Sequence, residues 1–136
     1  MFTNVPLMIV PFIVYNVMIF FGSNAEVDIW QSDILTLPML SGAVWVMTMG
    51  DLMVTFGLLL LFFEIMKATR IGPSSIIDHL LSTFVFVAFL VEFLLVPAAA
   101  HAVFFILMVI TFVDVVAGFS VSIRSASRDV SVGGGY

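Results

Sequence analysis

Two aspartates interrupt apolar runs that otherwise carry no charge. Asp51 lies within MTMGDLMVT (47–55), and Asp114 lies within TFVDVVAG (111–118). Each falls near the middle of a stretch long enough to cross a bilayer, where an aspartate costs about 2.5 to 3.5 kcal/mol to insert. Burial at that depth favours the neutral, protonated carboxyl group. Such groups serve in proton relays or in polar contacts between helices, so these two aspartates are the first candidate site.

Hydroxyl side chains accompany both aspartates at helical spacing. Thr48 and Thr55 lie three residues before and four residues after Asp51, and Thr111 lies three residues before Asp114. Residues at these spacings share one helix face. Small hydroxylated side chains suit close contacts and hydrogen bonds between transmembrane helices. The pattern predicts that the second and fourth helices pack together, with Asp51 and Asp114 facing each other.

Further titratable residues lie nearer the ends of the apolar runs. Glu92 and His101 flank a short turn on the predicted outer side, and Asp78 and His79 lie near the predicted inner side. With the two aspartates, these pairs form a ladder across the membrane that would suit a proton relay. The leading interpretation is that Asp51 and Asp114 are protonated and form polar contacts between helices. Such contacts require no further titratable residues across the membrane.

The elements that position these residues follow from composition. The chain has 136 residues, of which 62% are hydrophobic and 10% are charged, a composition far from that of soluble domains. The apolar runs are continuous rather than alternating, unlike those of transmembrane β-barrels. We therefore predict an all-α integral membrane protein, a four-transmembrane-helix bundle that forms a single membrane domain over 1–136. The helices are predicted at 5–22, 37–66, 75–96 and 101–124, with a cytoplasmic tail at 125–136.

The basic residues predict how the bundle is oriented. All four follow the second or the fourth predicted helix: Lys67, Arg70, Arg124 and Arg128. The connection at 22–33 carries three acidic residues and no basic one. Because lysine and arginine concentrate in cytoplasmic loops, both termini are predicted to be cytoplasmic. The four basic side chains are then expected to contact lipid headgroups.

Several classes of site chemistry lack the residues they need. Cysteine is absent, so the chain has no disulfide and no thiolate ligand. The two histidines, His79 and His101, are predicted at opposite membrane faces, so they cannot together hold one metal or haem. No Ser–His–Asp arrangement, glycine-rich phosphate loop or zinc spacing is present. We therefore expect no enzyme activity, no metal, no cofactor and no nucleic-acid partner.

Three segments of the chain carry a resemblance. TNVPLMIVPFIVYN (3–16) and the segments SSIIDHLLSTFVFVAFLVEFLLVPAA (74–99) and VDVVAGFSVSIRSASRD (113–129) are similar to small four-helix inner-membrane proteins of alphaproteobacteria that have no assigned activity. The resemblance covers most of the chain. It implies a multi-pass protein of the bacterial cytoplasmic membrane, and it offers no catalytic motif to transfer.

These observations predict a small non-catalytic accessory or structural subunit of a larger bacterial membrane complex, or a homo-oligomer. Its expected partners are membrane lipids and other membrane subunits or copies of itself. One alternative is a proton- or cation-linked transporter or channel component that uses Asp51 and Asp114. A second alternative is a lipid- or quinone-binding membrane protein, in which the 15 phenylalanines would line grooves between helices.

Overall fold

The computed structural model describes residues 5–22, 28–69 and 73–133. In these ranges the chain is mostly helical, with four α-helices: α1 Ile9–Gly22, α2 Met49–Lys67, α3 Pro73–Leu95 and α4 Ala102–Gly133. One antiparallel hairpin stands between α1 and α2, formed by β1 Asp33–Pro38 and β2 Val44–Thr48. Short 3-10 turns lie at Ile29–Gln31 and Pro97–Ala99.

Three of the four helices are long and apolar enough to cross a membrane. The candidate spans are Met49–Lys67, Ile76–Leu95 and Ala102–Val121. The expectation of a membrane protein with transmembrane helices is therefore confirmed at this level. Helix α1 is apolar but has only 14 residues, fewer than the roughly 17 to 25 of a typical transmembrane helix.

Helix α4 packs against both α2 and α3 and supplies much of the core. Phe104 is completely buried, with its ring centroid 4.8 Å from that of Tyr15 and 5.1 Å from that of Phe89. On α2, Gly57 faces α4 so closely that an added Cβ would lie 2.9 Å from a methyl group of Leu107. A small residue at this position lets two helices approach closely, as is common in membrane bundles.

The bundle has two distinct ends. The lysine end is where α2 finishes at Lys67, and the hairpin end is where α2 begins after the hairpin. Helix α3 runs back from the lysine end and α4 returns to it. The N-terminal segment begins at the lysine end, where the Leu7 amide donates to Glu64 (2.7 Å). It reaches the hairpin end at Tyr15, whose hydroxyl donates to the carbonyl of Ala98 (3.0 Å).

The predicted helix over 37–66 is wrong over its first part, residues 37–48. The segment before Met49 forms the hairpin, with Leu37 opposite Trp45. β-Branched and aromatic residues such as Val44 and Trp45 favour strands. The turn between the strands needs Gly42, whose φ of +91° is unfavourable for other residues. High hydropathy alone could not distinguish an apolar hairpin from an apolar helix, and the predicted all-α class is corrected to a mostly helical fold with a small sheet.

Helix α2 begins where it does because of a reciprocal cap. The Thr48 hydroxyl accepts a hydrogen bond from the Asp51 amide (3.2 Å), and the Asp51 carboxylate accepts one from the Thr48 amide (3.1 Å). This capping box satisfies amides that have no partner inside the helix. The same motif that suggested an intramembrane site therefore marks the start of the helix.

The fourth helix extends beyond its predicted end at residue 124, into the predicted tail at 125–136. Helix α4 continues through Gly133 as one element of 32 residues. Of the predicted tail, residues 134–136 lie outside the described part of the chain. The polar residues of this segment do not interrupt the helix, since serine, arginine and aspartate are all compatible with one. The segment extends α4 beyond its candidate span, which ends at Val121.

Candidate functional site

Lys67 is the centre of a buried polar network at the lysine end. Its ammonium group donates to the Glu64 carboxylate (2.9 Å), to the Asp78 carboxylate (3.4 Å) and to the backbone carbonyl of Val5 (2.8 Å). The side chain of Lys67 is only 12% exposed. The three bonds tie the end of α2 to the start of α3 and to the N-terminal segment. The expected contact of Lys67 with lipid headgroups is therefore replaced by an internal role.

Asp114 approaches this network from α4. Its residue is 4% exposed, and its Oδ2 atom has no hydrogen-bond partner in the part of the chain that the structure describes. It lies within electrostatic range of Glu64, Asp78 and Lys67. One turn earlier, Thr111 is almost fully buried, but its hydroxyl donates to the backbone carbonyl of Met108 (2.6 Å). Thr111 therefore does not satisfy the carboxylate.

His79 completes the group from α3. The residue is 6% exposed, and its Nε2 atom has no hydrogen-bond partner among the described residues. Its ring lies against α4 at Gly118, where an added Cβ would be 3.3 Å from the His79 Cε1 atom, and beside the ring of Phe119 at 4.8 Å. Gly118 is one helical turn beyond Asp114, so the imidazole and the Asp114 carboxyl occupy adjacent levels of the same interface.

Five side chains form what we call the lysine-end cluster: Glu64, Lys67, Asp78, His79 and Asp114. Three carboxylates and one ammonium group leave a formal charge of −2 when the histidine is neutral. Each carboxylate-bearing residue is at most 5% exposed. Within the described ranges, no three acidic or histidine side chains are arranged to hold a metal ion. The cluster is therefore a desolvated group of titratable side chains with an excess of negative charge.

The predicted pairing of Asp51 with Asp114 is wrong. Asp51 is exposed in the first turn of α2, and it precedes Glu64 by 13 positions, about 20 Å along a helix. Asp114 lies at the Glu64 level instead. Thr48 is the cap residue of α2, and the Thr55 hydroxyl donates to the Asp51 carbonyl (2.7 Å). These hydroxyls satisfy backbone groups and do not line a path through the bundle.

The predicted pairing of Glu92 with His101 is also wrong. Glu92 accepts a hydrogen bond from the Asn16 side chain on α1 (3.0 Å). His101 lies 2.7 Å from Asp28, and its Nδ1 atom accepts a hydrogen bond from the Val103 amide. Sequence reasoning missed both partners because they are distant in the chain: Asn16 lies 76 positions from Glu92, and Asp28 lies 73 positions from His101.

The basic residues beyond Lys67 are only partly described. Arg124 is exposed on α4 at the lysine end, a position that is available to lipid headgroups. Arg70 and the side chain of Arg128 lie outside the described part of the chain. Their contacts with headgroups stay predictions.

Asp28 is held in its ionised form at the hairpin end. Burial raises the pKa of its carboxyl group, but hydrogen bonds from the His101 side chain and the Trp30 amide outweigh this effect, and the pKa lies below its ordinary value of 3.8. A lowered pKa means that the folded state is stabilised above the unfolded-state value and loses this contribution as the pH falls through the folded-state value. The Asp28–His101 pair therefore tethers the 3-10 turn to the start of α4 at neutral pH.

Replacing Asp28 by asparagine should lower the free energy of unfolding by roughly 0.5 to 1 kcal/mol at neutral pH, because the pair is partly exposed. The difference from the wild type should disappear as the pH falls through the folded-state pKa of Asp28, which lies below 3.8, because the residue is then protonated in both states. Unfolding in mixed micelles across this pH range measures the effect. Asp33→Asn is the control, since Asp33 is exposed; a constant difference at every pH would contradict the ion pair.

Two apolar grooves flank α1. One of about 420 Å³ lies between α1 and α3 and is lined by apolar side chains that include Phe12, Phe84 and Val85. A second of about 350 Å³ lies between α1 and α2, beside Met18 and Phe56. Their lining side chains suit a hydrocarbon chain, and none of them could donate a hydrogen bond to a quinone carbonyl.

In the described part of the chain, the hairpin exposes a large apolar surface outside the helices. Leu37 and Trp45 on one face are each 41% exposed, and Val44 and Val46 on the other are 63% and 38% exposed. Every residue of β1 is exposed. From Ile34 to Gly50 the chain carries no charged residue.

Comparison with known proteins returns no relative from which a role could be transferred. No family model, no curated protein and no solved structure matches the chain. The resemblance to small alphaproteobacterial membrane proteins stays a prediction.

Proposed function

We propose that the chain is a small, non-catalytic accessory subunit of a membrane complex or of a homo-oligomer, and that the hairpin β1–β2 is its contact surface. The observation that carries the proposal is the exposure of apolar side chains on both faces of the hairpin. Contiguous exposed apolar surface in a folded protein marks a site of protein or membrane interaction.

The backbone of the hairpin favours a protein partner over the lipid interior. Each of the two strands has an unpaired edge, since the sheet contains only β1 and β2 in the described chain. Open sheet edges are not tolerated in hydrocarbon, because lipid offers no hydrogen-bond partners. An isolated two-stranded hairpin is also only marginally stable in water. A partner strand or a partner apolar surface would remove both problems.

The proposed topology places the hairpin outside the cytoplasm. Lys67 and the exposed Arg124 lie at the lysine end, and the rule that basic residues concentrate in the cytoplasm orients this end inward. With α1 as a short fourth crossing, both termini are cytoplasmic. This arrangement supports a multi-pass protein of the bacterial cytoplasmic membrane whose contact hairpin faces the periplasm.

The test is the mass of the intact complex after gentle purification through a C-terminal tag. The wild type should run well above the mass of one chain, and its subunit composition distinguishes a heteromeric complex from copies of this chain. The variants Leu37→Ser/Trp45→Ser and Val44→Ser/Val46→Ser each remove apolar surface from one hairpin face. At least one of them should shift the mass to that of a single chain, because a few buried aromatic and aliphatic side chains carry most of the energy of an interface.

The matched control is Val87→Ser/Val116→Ser, which changes two valines of similar exposure (45% and 50%) on α3 and α4. This variant should keep the wild-type mass. A wild type that runs as a single chain in mild detergent, or a complex that both hairpin variants leave intact, would contradict the proposal.

A further inference from the structure

The lysine-end cluster carries more negative charge than the ammonium group of Lys67 can balance. Glu64 is 3% exposed, Asp78 is 5% exposed and Asp114 is 4% exposed. Among the described residues, the one cation that contacts them is the ammonium group of Lys67, which is bonded to Glu64 and Asp78. A buried charge without a partner costs so much free energy that the group takes up a proton or binds a counter-ion instead. The cluster therefore needs additional positive charge.

Two buried atoms identify where that charge enters. Asp114 Oδ2 and His79 Nε2 are the fully buried side-chain nitrogen and oxygen atoms that have no hydrogen-bond partner within the described chain. Glu64 and Asp78, in contrast, share the Lys67 ammonium group. Because buried polar atoms in native proteins almost always have a partner, the Asp114–His79 part of the cluster is the part that is incomplete.

The chemistry of the cluster indicates a proton as its ligand. The described acidic and histidine side chains offer no set of three metal ligands. A carboxyl group and an imidazole can both accept a proton, and the protonated form of either one can donate a hydrogen bond. One added proton on Asp114 would reduce the excess negative charge of the cluster and would remove the cost of a buried, unpaired carboxylate oxygen.

We propose that the lysine-end cluster is a proton-binding site in which Asp114 holds one exchangeable proton, with His79 on the adjacent level of the α3–α4 interface. The groups that face this pair come from every element around it: Glu64 and Lys67 from α2, Asp78 from α3 and the backbone of the N-terminal segment through its bonds to α2. Lys67 is 12% exposed, so the cluster meets water at its edge and exchanges the proton there. This site does not depend on the accessory role proposed for the hairpin.

Infrared difference spectroscopy of the whole protein in lipid nanodiscs tests the site, because a protonated carboxyl group has a carbonyl band that a carboxylate lacks. The wild type should show this band at neutral pH and lose it in alkaline buffer. Asp114→Asn should lack the band, and Asp51→Asn should retain it, because Asp51 is exposed at the other end of the bundle. His79→Gln should shift the band, because it replaces the buried imidazole on the adjacent level of the α3–α4 interface and so changes the polarity around the carboxyl group.

Three results would overturn the proposal. The first is a wild type without a protonated-carboxyl band at neutral pH. The second is an unchanged band in Asp114→Asn or in His79→Gln, which would place the proton elsewhere. The third is a band that sodium chloride removes at constant pH when potassium chloride does not, which would make the ligand Na⁺. If Asp114→Asn does not fold, the pH and salt series on the wild type and the band shift in His79→Gln decide the question.

Discussion

Replacing Lys67 by methionine should lower the free energy of unfolding by about 3 to 5 kcal/mol, the range for removing one partner of a buried ion pair. Methionine keeps most of the length of the side chain, so the loss reports the ammonium group and not a cavity. The substitution leaves the Glu64 and Asp78 carboxylates, with side chains 1% and 7% exposed, without their shared cation. It also frees the Val5 carbonyl. Reversible unfolding in mixed micelles gives the difference from the wild type.

A second substitution separates the charge effect from packing. In Lys67→Met/Glu64→Gln a neutral amide replaces one of the two carboxylates that Lys67→Met leaves unpaired. The double variant should therefore be more stable than Lys67→Met alone. Arg124→Met is the control, because Arg124 is an exposed cation on α4 and should contribute less than about 1 kcal/mol. If Lys67→Met lowered the free energy of unfolding by as little as Arg124→Met, water would reach the network around Lys67 and screen its charges.

Replacing Phe104 by alanine should cost about 3 kcal/mol, the lower end of the range for phenylalanine in soluble cores. The lower end applies because lipid is itself apolar, so the substitution loses packing contacts and leaves a cavity but loses little hydrophobic transfer free energy. Phe104 is completely buried, and its ring neighbours are those of Tyr15, Phe89 and Phe93. The variant should therefore loosen the contact of α4 with both α1 and α3. The same unfolding measurement in mixed micelles gives the difference from the wild type.

Phe105→Ala is the matched control for this prediction. Phe105 follows Phe104 on the same helix but is 46% exposed, and its ring neighbour is Phe93 at 5.7 Å. The control should cost less than half as much as Phe104→Ala. Equal losses would mean that the core around Phe104 is not closely packed or that a partner covers Phe105. The intact-complex mass of Phe105→Ala distinguishes these two results.

The mostly helical fold and its candidate spans could be predicted from the sequence. An apolar run of about 20 residues must satisfy its own backbone in lipid, and an α-helix does so within one segment. The helix boundaries at Pro97 and near Pro73 could also be predicted, because proline does not continue a helix but is tolerated in its first turn. The 14-residue length of α1 was less predictable, because nothing in its hydropathy distinguishes the preceding turn from the helix.

The position of Asp51 could not be predicted from hydropathy. Apolar strands and apolar helices give the same composition, and the hairpin before Met49 places Asp51 at the start of a helix instead of its middle. The signal that could have located the boundary is Thr48 three residues before Asp51, combined with Ser41–Gly42 as a turn. Read as a capping box, this spacing explains the carboxylate through local backbone bonds.

The sequence by itself determined that the chain has long apolar helices and that its basic residues fall near the end of the second and of the last of them, because both properties follow from local composition. Only the tertiary structure decided which titratable side chains meet. Glu64, Lys67 and Asp78 join the end of α2 to the start of α3. Asp114 lies within electrostatic range of these three side chains, and His79 packs against α4 at Gly118. The physical reason is that such contacts depend on the relative rotation and depth of packed helices, and these are set by the summed packing of many side chains such as Gly57 against Leu107.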